Sequence, residues 1–306
     1  MMSTYNGEKY LSEQLDSILC QEGVEFQIYI RDDGSTDGTI EIIRKYQLMN
    51  PDTIIYQNLD ESMNIGFAKS FFTLLQYVLE SRANEYDYYA FADQDDVWLV
   101  KKLIRACLML KQYKDSPALY FGKKKIVDEK LTPISHDFCN YHRCFEDIFE
   151  RSNASGCTMV FNKQYARLFD KKGMEKTDFI HDAYLYRLAL CADFPIIYDN
   201  KPYILYRQHK KNTVGAINRE CFVKKIMKIW KIFDARAHYI QGIIQNIYTE
   251  FNDYINEMNK TKMENILTYN LSVRSKIRFL QFYIKDNRST VNEEIMIIMR
   301  IIFNFI

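Results

Sequence analysis

Residues 88–98 read YYAFADQDDVW, an apolar run that ends in three closely spaced carboxylates. The run Tyr88–Ala92 has the length and composition of a strand, and the residues that follow it are those of a turn. In open α/β sheets, ligands bind at the edge that is formed by the carboxyl ends of the strands. The acidic turn, residues Asp93–Asp96, therefore predicts an α/β fold with a binding site at this edge.

The sequence on both sides of the acidic turn alternates short β-rich runs with helical periodicity, from Tyr5 to about Leu205. For example, the predicted strand Phe26–Arg31 is followed by a helical pattern at Thr39–Tyr46. Such alternation is typical of βαβ units, which build a mainly parallel sheet with flanking helices. We therefore expect a Rossmann-like α/β domain.

Two local expectations concern the elements nearest to the acidic turn. The chain is predicted to be helical from Trp98 to Tyr113, with the Asp96 carboxylate capping the first turn of that helix. At the start of the chain only Met1–Ser3 precede the first predicted turn, whereas a strand usually has about five or six residues. We therefore expect either a shortened opening strand in the sheet or a chain whose start is truncated.

The composition limits the class of protein and its partners. The chain has 306 residues, of which 47% are apolar and 26% charged, and its formal net charge of +1 provides no field that would recruit nucleic acid. Seven cysteines without a regular spacing predict reduced thiols in the cytoplasm rather than a disulfide framework. We see no signal-peptide pattern, and no apolar stretch reaches the roughly 18 residues that a membrane span needs.

The pattern changes after residue 217. We predict a nucleotide-binding catalytic domain over 1–217 and a helical C-terminal region over 218–306, where glycine and proline are nearly absent. Residues 224–233 alternate lysines with large apolar side chains, a pattern that fits either packing on the catalytic domain or peripheral contact with the inner face of the plasma membrane. The apolar tail 295–306 is too short to span a bilayer.

Three groups of polar residues fall at the predicted carboxyl edge of the sheet. They are Thr4–Asn6, Asp32–Ser35 and Asp93–Asp96. Carboxylates gathered at one edge repel each other unless a cation or a hydrogen-bonding ligand compensates, and Mg²⁺ or Mn²⁺ bound to the phosphates of a nucleotide would do so. Turn and cap roles explain Asp32 and Asp96, but they leave Asp93 and Asp95 unexplained.

Seven motifs carry a resemblance to a known family. STYNG at 3–7, RDDGSTDGT at 31–39, NIGF at 64–67 and FADQDDVW at 91–98 resemble family 2 glycosyltransferases of the GT-A fold. GCTMVF at 156–161, HD at 181–182 and YRQH at 206–209 are similar to motifs of the branch that holds bacterial rhamnosyltransferases and related O-antigen and capsule enzymes. The resemblance covers roughly residues 3–216 and implies a GT-A catalytic domain with a helical appendage.

The resemblance also implies roles in binding the donor nucleotide. Thr4 and Tyr5, with Asn6 beside them, would line the nucleobase pocket, and Asp33 would accept a hydrogen bond from the N3–H of a pyrimidine. Lys69 would meet a phosphate, although its spacing fits a solvated helix lysine equally well.

Further roles concern the metal and the chemistry. Asp95 would be the main ligand of Mn²⁺ or Mg²⁺, with Asp93 near both ribose and metal. His209 would approach the metal or the diphosphate, although a structural role fits it equally well, and Arg207 would suit the diphosphate. Asp182 would be the catalytic base that takes the proton of the acceptor hydroxyl, although a carboxylate there also fits a helix cap.

These expectations describe an inverting, metal-dependent glycosyltransferase. Its donor would be a UDP-hexose or dTDP-rhamnose, and its acceptor a growing bacterial surface polysaccharide or a lipid-linked saccharide. Two alternatives stay open: a catalytically decayed transferase that acts as a binding or scaffold protein, and a sugar nucleotidyltransferase. A nucleotidyltransferase should carry a Gly-rich basic loop after the first strand, and Thr4–Glu8 is not such a loop.

Overall fold

The computed structural model of the protein describes residues 1–57, 64–82, 85–136, 141, 145–149, 154–170, 172, 178–209 and 239–286. The segments 224–233 and 295–306 lie outside the described residues. The chain divides into two compact units. One consists of Met1–Tyr141, Ala154–Ala183 and Phe194–Ala216, and the other of His142–Asn153, Tyr184–Asp193 and Ile217–Ile306. The second unit thus includes two segments that precede the predicted boundary after residue 217.

Strands and helices alternate from Met2 to Ala90, and from there on several strands follow one another directly. The strands are β1 (Met2–Thr4), β2 (Ile28–Asp32), β3 (Ile54–Gln57), β4 (Tyr88–Ala90), β5 (Val97–Trp98), β6 (Leu119–Gly122), β7 (Lys125–Val127), β8 (Pro133–His136), β9 (Val160–Asn162), β10 (Ile196–Asp199) and β11 (Ile204–Arg207). The helices are α1 (Leu11–Leu19), α2 (Thr39–Met49), α3 (Phe67–Arg82), α4 (Lys102–Leu110), α5 (Lys163–Arg167), α6 (His181–Cys191), α7 (residues 239–250), α8 (Glu257–Thr268) and α9 (Val273–Asp286).

The central sheet is mainly parallel, as predicted. Strands β1, β2 and β3 pair in parallel, and β6 pairs in parallel with β10. Strand β9 runs antiparallel between β4 and β6. A parallel bridge between Met2 and Ala92, just beyond β4, joins the two groups, so the strands follow the order β3-β2-β1-β4-β9-β6-β10.

The opening strand β1 has only three residues, as predicted, yet it connects both halves of the sheet. Met2 pairs with Ile30 of β2 on one side, and Ala92 donates its N–H to the Met1 carbonyl oxygen (2.9 Å) on the other. All five residues of β2 are buried, as expected for a parallel strand that is covered on both faces. The carboxyl ends of β1, β2 and β4 therefore lie side by side.

The predicted helix at Trp98–Tyr113 is wrong at its start, because Trp98 belongs to a second, smaller sheet. Val97 and Trp98 form β5, which pairs antiparallel with β11, while β11 pairs in parallel with β7 and β7 pairs antiparallel with β8. The backbone N–H of Trp98 donates to Ser17 Oγ (2.9 Å), and the Trp98 side chain is buried. Helix α4 therefore begins only at Lys102, because pairing with β11 overrides the local helical pattern.

The second unit contains helices, as the C-terminal sequence pattern predicts. Its apolar side chains are fully buried at Ile243, Ile247, Phe251, Met263 and Phe279. Within the described part of the chain, no helix combines the length and the apolar character that crossing a membrane requires.

A buried asparagine at the end of β9 connects the segment before β6 with the first turn of α5. Asn162 Nδ2 donates to the carbonyl oxygens of Tyr113 (2.8 Å) and Ser116 (2.7 Å). Asn162 Oδ1 accepts from the backbone N–H groups of Ala118 (3.1 Å) and Tyr165 (3.0 Å), so it also caps α5. All four hydrogen bonds are formed by one side chain that is only 2% exposed.

We predict that Asn162→Ala lowers the free energy of unfolding by about 3 kcal/mol, because it leaves the buried backbone N–H groups of Ala118 and Tyr165 without their acceptor and removes two further hydrogen bonds to carbonyl oxygens. Urea denaturation measures this loss. Asn200→Ala is the control, since Asn200 is exposed and accepts a single long hydrogen bond from Lys123 (3.4 Å). That variant should stay within about 0.5 kcal/mol of the wild type. Equal losses in the two variants would contradict the role of Asn162.

Candidate active site

The acidic turn is held against the turn that follows β1. Gln94 Oε1 accepts from the backbone N–H of Tyr5 (2.9 Å), and Gln94 Nε2 donates back to the Tyr5 carbonyl oxygen (3.0 Å). A Cβ at Gly7 would lie 2.2 Å from Gln94 Oε1, so a larger residue there would displace the Gln94 amide from its contact with Tyr5. From α1, Gln14 Nε2 donates to the Asp93 carbonyl oxygen (2.9 Å). The two predicted binding turns therefore form one surface.

The residues that were predicted to line the nucleobase pocket differ in their accessibility. The Tyr5 side chain is 48% exposed, whereas Thr4 is buried and its hydroxyl donates to Asp32 Oδ1 (2.7 Å). Asn6 adopts a left-handed backbone (φ 48°), and its N–H donates to Ser35 Oγ (2.8 Å). Thr4 and Asn6 thus shape this surface, while Tyr5 presents an accessible ring.

Asp33, the predicted acceptor for the nucleobase, is a buried ion-pair partner in this structure. Asp33 Oδ1 accepts from Arg31 Nη1 (2.6 Å) and from the N–H of Ile65 (2.9 Å). Asp33 Oδ2 accepts from the N–H of Gly66 (2.9 Å). The side chains of Arg31 and Asp33 are 2% and 3% exposed. A carboxylate has about four acceptor sites, so Asp33 retains capacity for one more hydrogen bond.

Asp93 lies within electrostatic reach of two other carboxylates. Burial, followed by the negative charges of Asp95 and Asp182, raises the pKa of Asp93 to about 7. A hydrogen bond with Cys157 and the positive charge of Lys124 act in the opposite direction. The charges of Asp95 and Asp182 therefore both disfavour the ionised form of Asp93, and a divalent cation would relieve that effect.

Asp96 does not cap a helix, which corrects the sequence-based prediction. The N-cap residue of α4 is Lys101, and no side chain caps this helix. Asp96 is fully buried instead, and its Oδ1 accepts from the backbone N–H of Arg207 (3.1 Å) on β11. Burial, followed by the charges of Asp93 and Asp95, raises the pKa of Asp96 well above its usual range.

One group of possible metal ligands includes a thiol. Ligand atoms of Asp93, Asp96 and Cys157 all lie within 4.8 Å of one another. Burial, together with the charges of Asp96 and Asp93, raises the pKa of the Cys157 thiol well above its usual 9. Since Mg²⁺ and Mn²⁺ prefer oxygen ligands, a neutral thiol contributes little to binding such ions.

Asp95 and His209 form the pair that best fits a divalent cation. His209 Nε2 lies 2.8 Å from Asp95 Oδ2, and the side chains are only 10% and 19% exposed. The imidazole packs against the ring of Tyr10, with ring centroids 5.0 Å apart. Imidazole nitrogen and carboxylate oxygen are both ligands of Mn²⁺ in proteins, so the two residues together match the metal-binding role predicted for each.

Arg207 holds the backbone of the acidic turn. Its Nε donates to the Asp95 carbonyl oxygen (2.8 Å), and its Nη1 donates to the carbonyl oxygen of Glu129 (2.7 Å). Its Nη2 forms an ion pair with Glu13, and the guanidinium lies 4.5 Å from the ring centroid of Tyr10. The side chain is 2% exposed. Its predicted contact with a diphosphate stays a prediction, and such a contact would require one of these partners to be released.

Lys69 is the more accessible of the two predicted phosphate-binding cations. It lies on α3, its side chain is 32% exposed, and its Nζ is 2.9 Å from Asp178 Oδ1. Asp178 is 91% exposed, so this ion pair contributes little to stability. An incoming phosphate could therefore replace Asp178 as the partner of Lys69.

Asp182, the predicted catalytic base, lies in the first turn of α6. Asp182 Oδ2 accepts from the backbone N–H of Gly156 (2.9 Å), and Oδ1 accepts from the N–H of Ala183 (2.6 Å). These bonds fix the carboxylate while leaving acceptor sites on both oxygens. Asp182 is therefore oriented by the segment before β9, a contact that the sequence did not reveal.

His181 is the neighbour of the predicted base and is itself buried. Its ring lies 4.1 Å from that of Phe71 and 4.7 Å from that of Phe91, measured between centroids. A Cβ at Gly156 would lie 2.5 Å from His181 Nε2, which explains why glycine is needed in the GCTMVF motif. Burial lowers the pKa of His181 from its usual 6.5 to about 4, so the ring is neutral at physiological pH.

Comparison with known proteins agrees with this geometry. Residues 1–187 match the family model described as Glycosyl transferase family 2. The chain is also 36% identical over 230 residues to the dTDP-rhamnosyl transferase RfbG of Shigella flexneri, an alignment that covers 70% of this chain and 74% of that protein. The chain belongs to glycosyl transferase family 2.

Solved structures show the fold of this glycosyltransferase. TarS of S. aureus, residues 1–349 in complex with UDP, matches 100% of this chain and 78% of that chain, with a TM-score of 0.57 and 16% identity. The complex of TarS with UDP-GlcNAc gives a TM-score of 0.56, with 17% identity over 100% of this chain and 80% of that chain. At these identities the likeness shows the fold alone, and the predicted GT-A fold and family are confirmed.

We predict that the buried His181 limits the stability of the glycosyltransferase in acid. The unfolded chain takes up a proton at His181 near pH 6.5, whereas the folded chain does so only near pH 4. Stability from this residue is therefore lost as the pH falls from 6.5 to 4, by at most about 3 kcal/mol. Urea unfolding of His181→Leu should show a smaller loss over this interval than the wild type.

Phe71→Leu is the matched control, because it alters the same cluster without changing a titratable group. Its stability should be lower than that of the wild type by a similar amount at every pH in this interval. Parallel pH profiles for the wild type and His181→Leu would show that His181 does not control the loss.

Proposed function

We propose that the chain is an inverting, metal-dependent glycosyltransferase that transfers a sugar from a nucleoside-diphosphate sugar to a saccharide acceptor. The observation that carries this proposal is the set of carboxylates around Asp93: Asp95 contacts His209 (2.8 Å), Asp182 is held by two backbone N–H groups, and the charges of both raise the pKa of Asp93. Residues suited to the metal, the donor and the acceptor thus share one edge of the sheet.

The proposed donor is dTDP-rhamnose or a UDP-hexose. The first choice rests on the relative from Shigella flexneri, which is a dTDP-rhamnosyl transferase, and the second on TarS, which was solved with UDP and UDP-GlcNAc. Thymine and uracil share an N3–H group, for which Asp33 Oδ2 is the proposed acceptor. The exposed ring of Tyr5 is suited to stack on either base, while Thr4 and Asn6 hold the surface on which the base would lie.

Asp95, His209 and Asp93 are the proposed ligands of Mn²⁺ or Mg²⁺. The 2.8 Å contact between Asp95 and His209 and the raised pKa of Asp93 both fit a bound divalent cation. Such a cation would neutralise charge on the departing diphosphate. Lys69 is the proposed contact to a phosphate. Arg207 holds the acidic turn, and it would contact a phosphate only after releasing one of its present partners.

Asp182 is the proposed catalytic base. The acceptor oxygen forms a bond to the anomeric carbon while the bond between that carbon and the diphosphate oxygen breaks. The electron pair of the breaking bond leaves with the diphosphate. Asp182 takes the proton of the acceptor hydroxyl. The N–H groups of Gly156 and Ala183 hold the carboxylate in place for this step. Attack from the face opposite the leaving group inverts the anomeric configuration.

The proposed acceptor is a growing bacterial surface polysaccharide or a lipid-linked saccharide. This acceptor class rests on the resemblance of the motifs at 156–161, 181–182 and 206–209 to the O-antigen and capsule branch of the family, although Ala183 stands where the family commonly has an aromatic residue directly after the His-Asp pair. A lipid-linked acceptor would place the enzyme in the cytoplasm, at the inner face of the plasma membrane.

We predict that Asp182→Asn reduces sugar transfer by at least about a thousandfold, because the amide cannot accept the proton. Hydrolysis of dTDP-rhamnose and UDP-hexoses first identifies the donor, and transfer to a saccharide acceptor is then followed with it. Binding of dTDP or UDP with Mn²⁺, measured by calorimetry, should stay within about threefold of the wild type. Asp178→Asn removes a nearby exposed carboxylate and should retain activity.

Wild-type turnover in Asp182→Asn would exclude Asp182 as the base. If the wild type bound neither dTDP nor UDP with Mn²⁺, the decayed-transferase alternative would replace the proposed function.

We predict that transfer requires a divalent cation and that Asp95→Asn weakens Mn²⁺ binding and lowers activity by at least about a hundredfold. Electron paramagnetic resonance of free Mn²⁺ measures binding without a donor. Asp115→Asn, which changes an exposed acid of the same unit, should bind Mn²⁺ as the wild type does. Full activity in EDTA would contradict a metal-dependent mechanism.

A further inference from the structure

Lys124 is a half-buried cation at the carboxyl edge of the sheet that the proposed chemistry does not use. It follows β6, which runs parallel to β4 because both strands pair antiparallel with β9. Its Nζ donates to Ser155 Oγ (2.6 Å) and lies 4.9 Å from the ring centroid of Tyr206. A hydrogen bond from a charged donor is stronger than one between neutral groups, so this contact connects Lys124 firmly to the segment before β9.

The Ser155 hydroxyl does not make the contact that its position favours. Ser155 is the N-cap residue of the short 3-10 turn Gly156–Thr158, and a serine at an N-cap usually accepts from a backbone N–H of the turn that follows. No such side-chain bond is formed here, and the hydroxyl accepts from Lys124 instead. A contact between two separate segments thus replaces a local one.

The peptide unit between Ser155 and Gly156 connects this contact to the proposed base. Its N–H, from Gly156, donates to Asp182 Oδ2 (2.9 Å). Its carbonyl oxygen, from Ser155, accepts from the N–H (2.9 Å) and the hydroxyl (2.8 Å) of Thr158. Because a peptide unit is planar, these bonds and the anchored Ser155 side chain together set the direction of the N–H.

The segment around Ser155 has little room in which to adjust. Ala154 and Gly156, on either side of Ser155, are both buried. A Cβ at Gly156 would lie 3.5 Å from the Cβ of Asp182, so the backbone of Gly156 packs directly against the start of α6. A shift of Ser155 would therefore be passed on to the Asp182 carboxylate.

We propose that Lys124 is a positioning residue for the proposed base. Through Ser155 and the N–H of Gly156, it holds the Asp182 carboxylate in the orientation that proton transfer requires. This bond occupies one acceptor site of Oδ2 and leaves others for the acceptor hydroxyl. The catalytic consequence rests on the proposed function, whereas the connection between Lys124, Ser155 and Asp182 does not.

Steady-state transfer by the full chain tests the positioning role. Ser155→Ala removes the hydroxyl without changing the charge, and it should lower kcat about tenfold while the KM for the donor stays within about threefold. Lys124→Met should lower kcat by a similar factor, and the double variant should lose no more than about twofold beyond either single variant, because both act through one contact. Ser155→Thr keeps the hydroxyl and should retain at least about half of the wild-type kcat.

Two results would overturn the proposal. Lys124→Met also removes a positive charge that opposes the raised pKa of Asp93, so wild-type kcat in Ser155→Ala would show that Lys124 does not act through Ser155. Lys125→Met is the matched control, since Lys125 is exposed and adjacent to Lys124 in sequence, and its kcat should stay within about twofold of the wild type. Equal losses in Lys125→Met and Lys124→Met would assign the effect to the positive charge of this edge alone.

A double-mutant cycle in urea tests the connection without requiring activity. Unfolding is measured at pH 7 for the wild type, Ser155→Ala, Asp182→Ala and the double variant, with Asp182→Asn in place of Asp182→Ala if that variant does not fold. Since both side chains constrain one peptide unit, we expect their effects on the unfolding equilibrium constant to be coupled by at least about threefold. Additivity within about twofold would overturn the proposal. If the coupling is found but the wild type transfers no sugar, the connection stands and the proposed function fails.

Discussion

Repulsion among carboxylates at the carboxyl edge of the sheet is the constraint on which the rest of the site depends. The protein compensates each carboxylate differently. Asp32 accepts backbone N–H groups, Asp33 forms a buried ion pair, and Asp95 contacts His209. Asp93, near two other acids, keeps a pKa of about 7. A divalent cation with a diphosphate would balance this charge, so the same repulsion that opposes folding favours the binding of such a ligand.

The geometry of the acidic turn depends on groups that are distant in sequence. Gln14 donates to the Asp93 carbonyl oxygen, and Arg207 donates to the Asp95 carbonyl oxygen. The side chain of Gln94 connects the acidic turn to the turn after β1 through Tyr5. Such contacts hold the carboxylates in place before a ligand arrives, which reduces the reorganisation that binding requires. In the same way, Gly156 holds the Asp182 carboxylate through its N–H.

The sequence predicts those strands, helices and turns whose pattern of apolar and polar residues lies within a single short segment. The parallel strands, the flanking helices and the carboxyl-edge position of Asp93 and Asp95 all follow from apolar runs that end in polar turns. The predicted start of a helix at Trp98 is wrong because β5 pairs with β11, more than 100 residues away, and Asp96 is therefore not a cap. The burial of Arg207 was missed for the same reason, since its partners Asp95, Glu129 and Glu13 come from three separate segments. The roles of the donor-binding and catalytic residues stay predictions, because they depend on ligands.

The central claim is that the acidic turn binds a divalent cation that also contacts the diphosphate of the donor. A crystal structure with Mn²⁺ and UDP or dTDP tests this most directly, because the anomalous signal of manganese locates the ion independently of the protein. The account predicts an anomalous peak about 2.2 Å from an Asp95 carboxylate oxygen, with diphosphate oxygens among its other ligands. A nucleotide bound at this edge without Mn²⁺, or Mn²⁺ bound away from Asp95, would contradict it.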